Sequence, residues 1–367
     1  MSQVSLLIKP ASSLCNLRCK YCFYSDVSHN RQEESMGIMT NEVMRALIDK
    51  SLELPVDTIQ YLFQGGEPTC AGISYFKEFI TYVNEKNIKN KEIRYGIQTN
   101  GTQINDAWIK LFQENHFLAG ISLDGFALNH NYFRKDIKGE GTFKDITFNI
   151  RRLNNAGIET NILTVLTKEL SRKPKELYEF YKKNNMNYVQ IIPCLPSLKK
   201  DEPTDRFALT PKDFATFYQT FFDLWHDDYR KGKYMSVTLF DNLITMYGNH
   251  LPSQCGMIGK CHMQIVVEGN GNVYPCDFYV LDKYLCGNIV TDSLEDMIHS
   301  NCAKNFIQEV RTLSNVCTNC KYIHMCHGNC KRLSVCYYDE NYCGYKAFLN
   351  YVEDRIYEIA KYLKSNF

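Results

Sequence analysis

The 367-residue chain lacks an excess of charge: 42 Lys and Arg stand against 41 Asp and Glu, a formal net charge of +1 at pH 7. That balance excludes recognition of nucleic acid, an anionic membrane or an acidic substrate by bulk charge, so any partner must be read locally. Long apolar runs are also missing, and the first residues, Met1-Ser2-Gln3-Val4-Ser5-Leu6-Leu7-Ile8-Lys9, have no basic leading region. Neither a membrane span nor a secretory signal is expected, and the chain reads as cytoplasmic. Its length gives room for about two domains' worth of core. What the sequence does hold is cysteine, 16 in all. In a reducing compartment such cysteines serve as metal ligands or redox thiols rather than disulfides, and here they are clustered.

The first cluster is Cys15-Asn16-Leu17-Arg18-Cys19-Lys20-Tyr21-Cys22, three cysteines spaced C-x3-C-x2-C. Three thiolates can converge on one four-iron cluster and leave one iron without a protein ligand, an open position for chemistry. A zinc knuckle or part of a disulfide framework is the competing reading.

Around this loop the first half of the chain repeats. The apolar run Ser5 to Lys9 reads as a strand buried on both faces, and Thr40 offers an N-cap for a helix carrying Val43, Met44, Leu47 and Ile48, which ends before Pro55. Strands are expected at Thr58 to Phe63, Ile93 to Gln98, Phe117 to Ser122, Thr160 to Leu166 and Tyr188 to Ile192. Helices are expected near Tyr75 to Val83, Asp106 to Glu114, Phe143 to Leu153 (stopped by Gly157) and Pro174 to Lys183. Such alternation implies α/β architecture with a parallel sheet and right-handed crossovers, either doubly wound or curled toward a barrel. The six units fall short of the eight that close a full barrel.

Four polar motifs follow the first four strands: the cysteine loop, Gln64-Gly65-Gly66-Glu67-Pro68, Gln98-Thr99-Asn100-Gly101 and Ser122-Leu123-Asp124-Gly125. Each alone is more often a turn. Together they occupy the carboxyl ends of parallel strands, where the loops of such folds converge into active sites.

Beyond a polar stretch from Pro196 to Pro211 (Lys199, Lys200, Asp201, Glu202, Pro203) the composition changes. We place domain boundaries at 1–205, 206–250 (a helical linker region) and 251–367. Phe217, Tyr218, Phe221, Phe222 and Trp225 recur at helical spacing, which reads as core packing or, alternatively, as a peptide-binding wall. Asp241 to Tyr247 and Lys346 to Leu363 read as further helices. Between them Cys255, Cys261 and Cys276 surround a hairpin signature at Ile265 to Tyr274 with Asn270-Gly271 at its turn. Cys317, Cys320, Cys326 and Cys330 then form a dense array, followed by Cys343. Cys336 rivals Cys343 as the last ligand. Cys70, Cys194, Cys286 and Cys302 are left as plain buried thiols. Structural zinc is the alternative for these groups.

Taken together, Cys15 to Tyr24, Gln64 to Thr69, Gln98 to Gly101, Ser122 to Gly125 and Val273-Tyr274-Pro275-Cys276-Asp277-Phe278-Tyr279 resemble the anaerobic sulfatase-maturating enzymes of the radical S-adenosylmethionine superfamily. The resemblance implies a partial (β/α)6 TIM-like barrel with a C-terminal cysteine-rich auxiliary iron–sulfur domain of SPASM type. It implies S-adenosyl-L-methionine and three 4Fe-4S clusters as cofactors. Cys15, Cys19 and Cys22 would hold the first cluster, Cys255, Cys261, Cys276 and Cys330 the second, and Cys317, Cys320, Cys326 and Cys343 the third. Tyr21, Gly65, Gly66, Glu67, Gln98, Ser122, Arg134 and Leu195 would meet the cofactor, the glycine segment through its backbone at the methionyl amine. Arg134 suits a carboxylate because its fork can bond both oxygens, and a solvated surface cation is the plain alternative.

The implied reaction oxidises a cysteine or serine of a sulfatase to Cα-formylglycine, with Asp277 as the base. The implied partners are a sulfatase polypeptide bearing a Cys/Ser-x-Pro-x-Arg motif and an electron donor such as flavodoxin or ferredoxin, with neither nucleic acid nor membrane, and the enzyme acts as a monomer. Two other readings stay open. One is a relative that crosslinks a peptide, although the first strand begins too early to leave room for a leader-binding domain. The other is a non-catalytic iron–sulfur carrier or zinc-bound scaffold.

Overall fold

The computed structural model describes residues 2–199 and 202–366. In chain order its first half runs β1 (Gln3–Ile8), α1 (Phe23–His29), α2 (Asn41–Glu53), β2 (Thr58–Phe63), α3 (Ile73–Lys86), β3 (Glu92–Thr99), α4 (Asp106–Glu114) and β4 (Leu118–Ser122). It continues with α5 (Ala127–Phe133), α6 (Phe143–Asn155), β5 (Thr160–Leu166), α7 (Pro174–Lys183) and β6 (Tyr188–Pro193). After these come α8 (Pro211–Tyr229), β7 (Ser236–Val237), α9 (Thr238–Tyr247), β8 (Val266–Val267), β9 (Asn272–Tyr274) and β10 (Gly287–Asn288). The chain closes with α10 (Leu294–Ile298), α11 (Asn301–Gln308), α12 (Asn315–Thr318), α13 (Ile323–Cys326) and α14 (Gly344–Asn366). Among the described residues no helix is long and apolar enough to cross a membrane.

These elements form two compact units. The first comprises Met1–Ser122, Asn131–Thr160 and His262–Glu309; the second comprises Leu123–His130, Asn161–Cys261 and Val310–Phe367.

In the first unit β1, β2, β3 and β4 are consecutive parallel neighbours, with Ile8 beside Phe63 and Phe63 beside Ile97. The expected hairpin forms from β8 and β9, and β8 lies parallel to β1 with Val267 beside Ile8. Its consequence for the site is geometric. Glu268, Lys9, Gln64 and Gln98 each follow or end the same register row, so four polar side chains from four adjacent strands meet at one carboxyl edge. Beneath that edge the core is dry and aromatic: Phe63 packs 4.7 Å from Phe76 and 5.0 Å from Phe79, and Phe76 lies 5.0 Å from Trp108. Each such ring adds about 1.5–3 kcal/mol on burial. Helix α2 starts where its sequence says, since the Thr40 hydroxyl accepts a bond from Val43 N–H, a cap worth about 1 kcal/mol.

In the second unit β5, β6 and β7 are also parallel neighbours. Helix α8 resolves the aromatic stripe in favour of core: Phe217, Tyr218, Phe221, Phe222 and Trp225 are all at most 1% exposed. Tyr218, Phe221, Phe222 and Trp225 pack on Phe240 of α9 or Phe348 of α14, and Phe217 stacks on Phe221, so none is free to form a peptide-binding wall. The polar stretch before α8 is not all linker, because Pro203–Phe207 wind into a 3-10 turn whose start is closed by reciprocal Glu202 and Asp205 bonds. Lys200 and Asp201 of that stretch lie outside the described residues.

Candidate active site

The cysteine loop leaves β1 and folds back over the glycine motif that follows β2. Gly66 N–H donates to Ser12 O (2.7 Å) and Glu67 N–H to Leu14 O (2.8 Å). A Cβ on Gly66 would stand 2.2 Å from Leu14 O, and Gly65 has φ of +129°, so both glycines are required for the loop to lie this close. These backbone donors are thus spent inside the protein, and any role of the segment toward an ammonium falls to its carbonyl oxygens.

Within the loop Cys15, Cys19 and Cys22 are half-buried and near enough that Cys19 and Cys22 act electrostatically on Cys15. Burial pushes the Cys15 thiol up to about 12, with Glu67, Cys19 and Cys22 adding to the rise and the Leu17 N–H opposing it. The sulfurs are nevertheless prepared as acceptors: Leu17 N–H lies 3.3 Å from Cys15 Sγ, and Ser25 N–H lies 3.4 Å from Cys22 Sγ, where Cys22 caps α1. Three neighbouring thiols that repel one another as anions, each needing a counter-charge, fit the thiolate donor set of a cationic iron cluster. Among the described residues no three His, Cys, Asp or Glu side chains close on a common point as ligands of one bare ion.

The expected cofactor residues surround this loop in part. Tyr21 lies 5.3 Å from the Phe133 ring, and the Arg134 guanidinium stands 5.5 Å from Tyr21. The segment carrying Arg134 pairs with the loop backbone through Arg18 N–H to Lys135 O and Lys20 N–H to Phe133 O. Arg134 is buried, so the solvated-cation reading does not describe it. Gln98 Nε2 donates to Ser122 Oγ at 3.2 Å. The Glu67 carboxylate is fully enclosed and accepts from Thr69 N–H and Oγ1–H, Thr99 Oγ1–H and Asn100 N–H. Burial pushes its pKa up against those four donors. Leu195 belongs to the second unit, half-buried just after β6.

Asp277 begins a 3-10 turn immediately after Cys276 in the first unit. Its Oδ2 accepts from Gln64 Nε2 at 2.7 Å, its N–H donates to Gln264 Oε1 at 3.1 Å, and its Oδ1 lies 2.6 Å from Lys9 Nζ. The last contact is close but not aligned as a hydrogen bond, so it acts as an ion pair and both atoms keep hydrogen-bonding capacity. Lys9 is wholly buried, with its ammonium 3.6 Å over the Tyr24 ring. Tyr24 O–H donates to Glu268 Oε1, which also receives Arg31 at 2.8 Å. Burial raises Glu268, yet Lys9 and Arg31 outweigh it and hold the carboxyl below its ordinary value. Burial, Glu268 and Asp277 keep the Tyr24 phenol well above its usual range, hence neutral.

The sequence reading did not assign Lys9, Tyr24, Arg31 and Glu268. The one available signal was a lysine ending the apolar run of β1, where a buried charge demands a partner.

Of the remaining cysteines, Cys194, Cys255, Cys261, Cys317, Cys320, Cys326, Cys330, Cys336 and Cys343 belong to the second unit, whereas Cys70, Cys276, Cys286 and Cys302 belong to the first. Burial pushes Cys255 up to about 11, with Cys330 and Cys261 close enough to add to the shift. Cys317, Cys320, Cys326 and Cys343 line one small cavity together with Tyr322, Tyr338 and Tyr345. Cys336 is absent from that lining: it is fully buried, and its thiol points to Cys194 O at 3.5 Å. Of the four unassigned cysteines, Cys194 is buried, whereas Cys70, Cys286 and Cys302 are only half-buried.

A family model described as the radical SAM superfamily matches residues 10–181, and one described as an iron–sulfur cluster-binding domain (SPASM) matches 255–321. The chain is 42% identical over 332 residues to a cysteine-type anaerobic sulfatase-maturating enzyme of Clostridium novyi (strain NT), covering 90% of this chain and 89% of that one. It is 37% identical over 373 residues to the protein of the same description from Clostridium perfringens (strain ATCC 13124), covering 99% and 100%. A solved structure of native anSMEcpe with bound AdoMet and Kp18Cys peptide superimposes with a TM-score of 0.91 at 36% identity, covering 98% of this chain and 99% of that one.

Proposed function

Because the chain belongs to the anaerobic sulfatase-maturating enzymes of the radical S-adenosylmethionine superfamily, we propose that it oxidises a cysteine within a Cys-x-Pro-x-Arg segment of a sulfatase to Cα-formylglycine. The cysteine preference is supported by the cysteine-type descriptions of both clostridial relatives. When bound, the first cluster and S-adenosylmethionine supply a 5′-deoxyadenosyl radical able to take hydrogen from a β-carbon.

This chain's own residues do the rest. Cys15, Cys19 and Cys22 would hold the first cluster. Arg134 would receive the cofactor's carboxylate, Gln98 and Ser122 would meet its ribose, and the carbonyl oxygens of the Gly65-Gly66-Glu67 segment would accept from its ammonium. Asp277 takes the thiol proton of the target residue, held for that task by Lys9 and Gln64. Cys317, Cys320, Cys326 and Cys343 would hold one auxiliary cluster, and Cys255, Cys261 and Cys330 would be ligands of the other. Fully ligated clusters would have no open iron, which favours an electron-relay role over binding substrate, and a donor such as flavodoxin or ferredoxin would supply the electron that reduces the first cluster.

The observation that carries this reading is a carboxylate fixed by a buried lysine and a glutamine at the strand edge of the unit that contains the cysteine loop. The test is mass spectrometry of a Cys-x-Pro-x-Arg peptide and its Ser counterpart after anaerobic incubation with reduced, cluster-loaded protein and S-adenosylmethionine. Formylglycine formation from the Cys peptide both removes two hydrogens and exchanges sulfur for oxygen, and from the Ser peptide it removes two hydrogens alone. Peptide crosslinking would also remove two hydrogens but keep the sulfur of the Cys peptide, an outcome that would displace this proposal.

A further inference from the structure

Asn100 is held by a closed ring of side-chain bonds. Its Oδ1 accepts from Thr102 N–H (3.0 Å) and Thr102 Oγ1–H (2.7 Å), its Nδ2 donates to Asn16 Oδ1 (2.8 Å), and Asn16 Nδ2 donates back to Thr102 Oγ1 (2.8 Å). The orientation of the amide is forced. Thr102 N–H is a backbone donor and cannot accept, so the atom facing it must be the oxygen and the nitrogen must face the other way. One Asn100 N–H is consumed by Asn16, and the other lies toward Cys15 Sγ, 3.9 Å from Nδ2. The backbone is pinned as well, since Asn100 N–H donates to Glu67 Oε2 at 2.7 Å and Thr99 Oγ1–H to Glu67 Oε1 at 2.6 Å. Glu67 itself cannot turn toward the cofactor without abandoning four bonds inside a fully buried site.

We infer that Asn100 is a positioning residue for the first cluster: the Asn100–Asn16–Thr102 ring, anchored on the Glu67 carboxylate, aims an amide N–H at the Cys15 sulfur and raises the cluster's reduction potential. Hydrogen bonds to ligand sulfurs stabilise the additional negative charge of the reduced state, and they are one of the means by which a protein sets such potentials. The donor adds to the Leu17 N–H at 3.3 Å on the same sulfur. At 3.9 Å its effect is that of an oriented dipole, which sets the expected size at a few-fold in the reduction equilibrium. The inference rests on Cys15 being a cluster ligand.

The experiment is a redox titration of the anaerobically reconstituted full chain, followed by electron paramagnetic resonance of the signal that responds to S-adenosylmethionine. Only the cluster with the open iron should give such a response, and the remaining signals serve as internal controls. Asn100→Asp keeps the shape, replaces the donor by an acceptor and should shift the equilibrium toward the oxidised cluster by roughly threefold to tenfold, tenfold being about 59 mV for one electron. Thr102→Val removes one of the two donors to Asn100 Oδ1 and the acceptor of Asn16 Nδ2, so it loosens the ring without adding charge and should shift the equilibrium less, in the same direction, while Thr102→Ser keeps the hydroxyl and should restore the wild-type value.

Wild-type potentials in both Asn100→Asp and Thr102→Val would overturn the inference. If Asn100→Asp fails to take up the cluster, the Thr102 pair decides alone. A Cys15→Ala variant separates the two failures. Loss of the responsive signal in it leaves the ligand assignment standing whatever the Asn100 result; persistence of that signal overturns the assignment and this inference together.

Discussion

Lys9 and Asp277, far apart in the chain, meet as a 2.6 Å ion pair with the lysine fully buried. Breaking such a pair from one side leaves an uncompensated charge, which costs about 3–5 kcal/mol. Asp277→Asn keeps the shape and the Gln64 contact but removes the basicity. It should retain cluster content and deoxyadenosine formation while formylglycine falls by about a hundredfold or more. Lys9→Met should uncouple the two products in the same direction, less strongly, because the carboxylate loses its orientation rather than its existence. The measurement is the ratio of formylglycine to deoxyadenosine, and a wild-type ratio in Asp277→Asn would move the base to another group.

Replacing Cys15, Cys19 and Cys22 with alanine should remove about four irons per chain and abolish deoxyadenosine formation, leaving the auxiliary clusters in place. Iron analysis with chromatographic detection of deoxyadenosine checks this. Undiminished cofactor cleavage would show that the loop is not the cluster site.

Cys343 lines the cavity with Cys317, Cys320 and Cys326, whereas Cys336 is packed against Cys194 O. Wild-type protein should therefore hold about twelve irons per chain, and Cys343→Ala about four fewer. Cys336→Ala should keep its iron and lose only some thermal stability. The reverse pattern of iron loss would make Cys336 the ligand.

His226 stacks on Phe222 with centroids 5.7 Å apart. Burial, then Arg355 and Arg230, hold it below its ordinary value. Its folded state therefore favours the neutral ring. The corresponding stability is complete above the unfolded value of about 6.5 and is lost as pH falls through the lower folded value. His226→Phe should flatten the decline in thermal midpoint as pH falls below about 6.5, where the unfolded ring takes up its proton before the folded one. An identical slope in both proteins would remove His226 from the account.

The sequence by itself determined the parts that local chemistry writes. The spacing of Cys15, Cys19 and Cys22, the strand–helix alternation and the Thr40 cap depend on neighbours within a few residues, and β2, α4, β5 and α7 lie where their periodicity placed them. It also put Asp277 beside Cys276. It did not reveal the short helices α10 to α13, which are too brief to show a period and are set between cysteines and turns. Only the tertiary structure decided what surrounds Asp277, since Lys9, Gln64, Tyr24 and Glu268 come from separate strands and loops that parallel register brings to one edge. It alone distinguished Cys343 from Cys336 and buried Arg134 beside the cysteine loop. The physical reason is common to all three. A charge or a thiol carries its identity in the sequence, but its burial and its partner are properties of distant segments that meet only when the chain has folded.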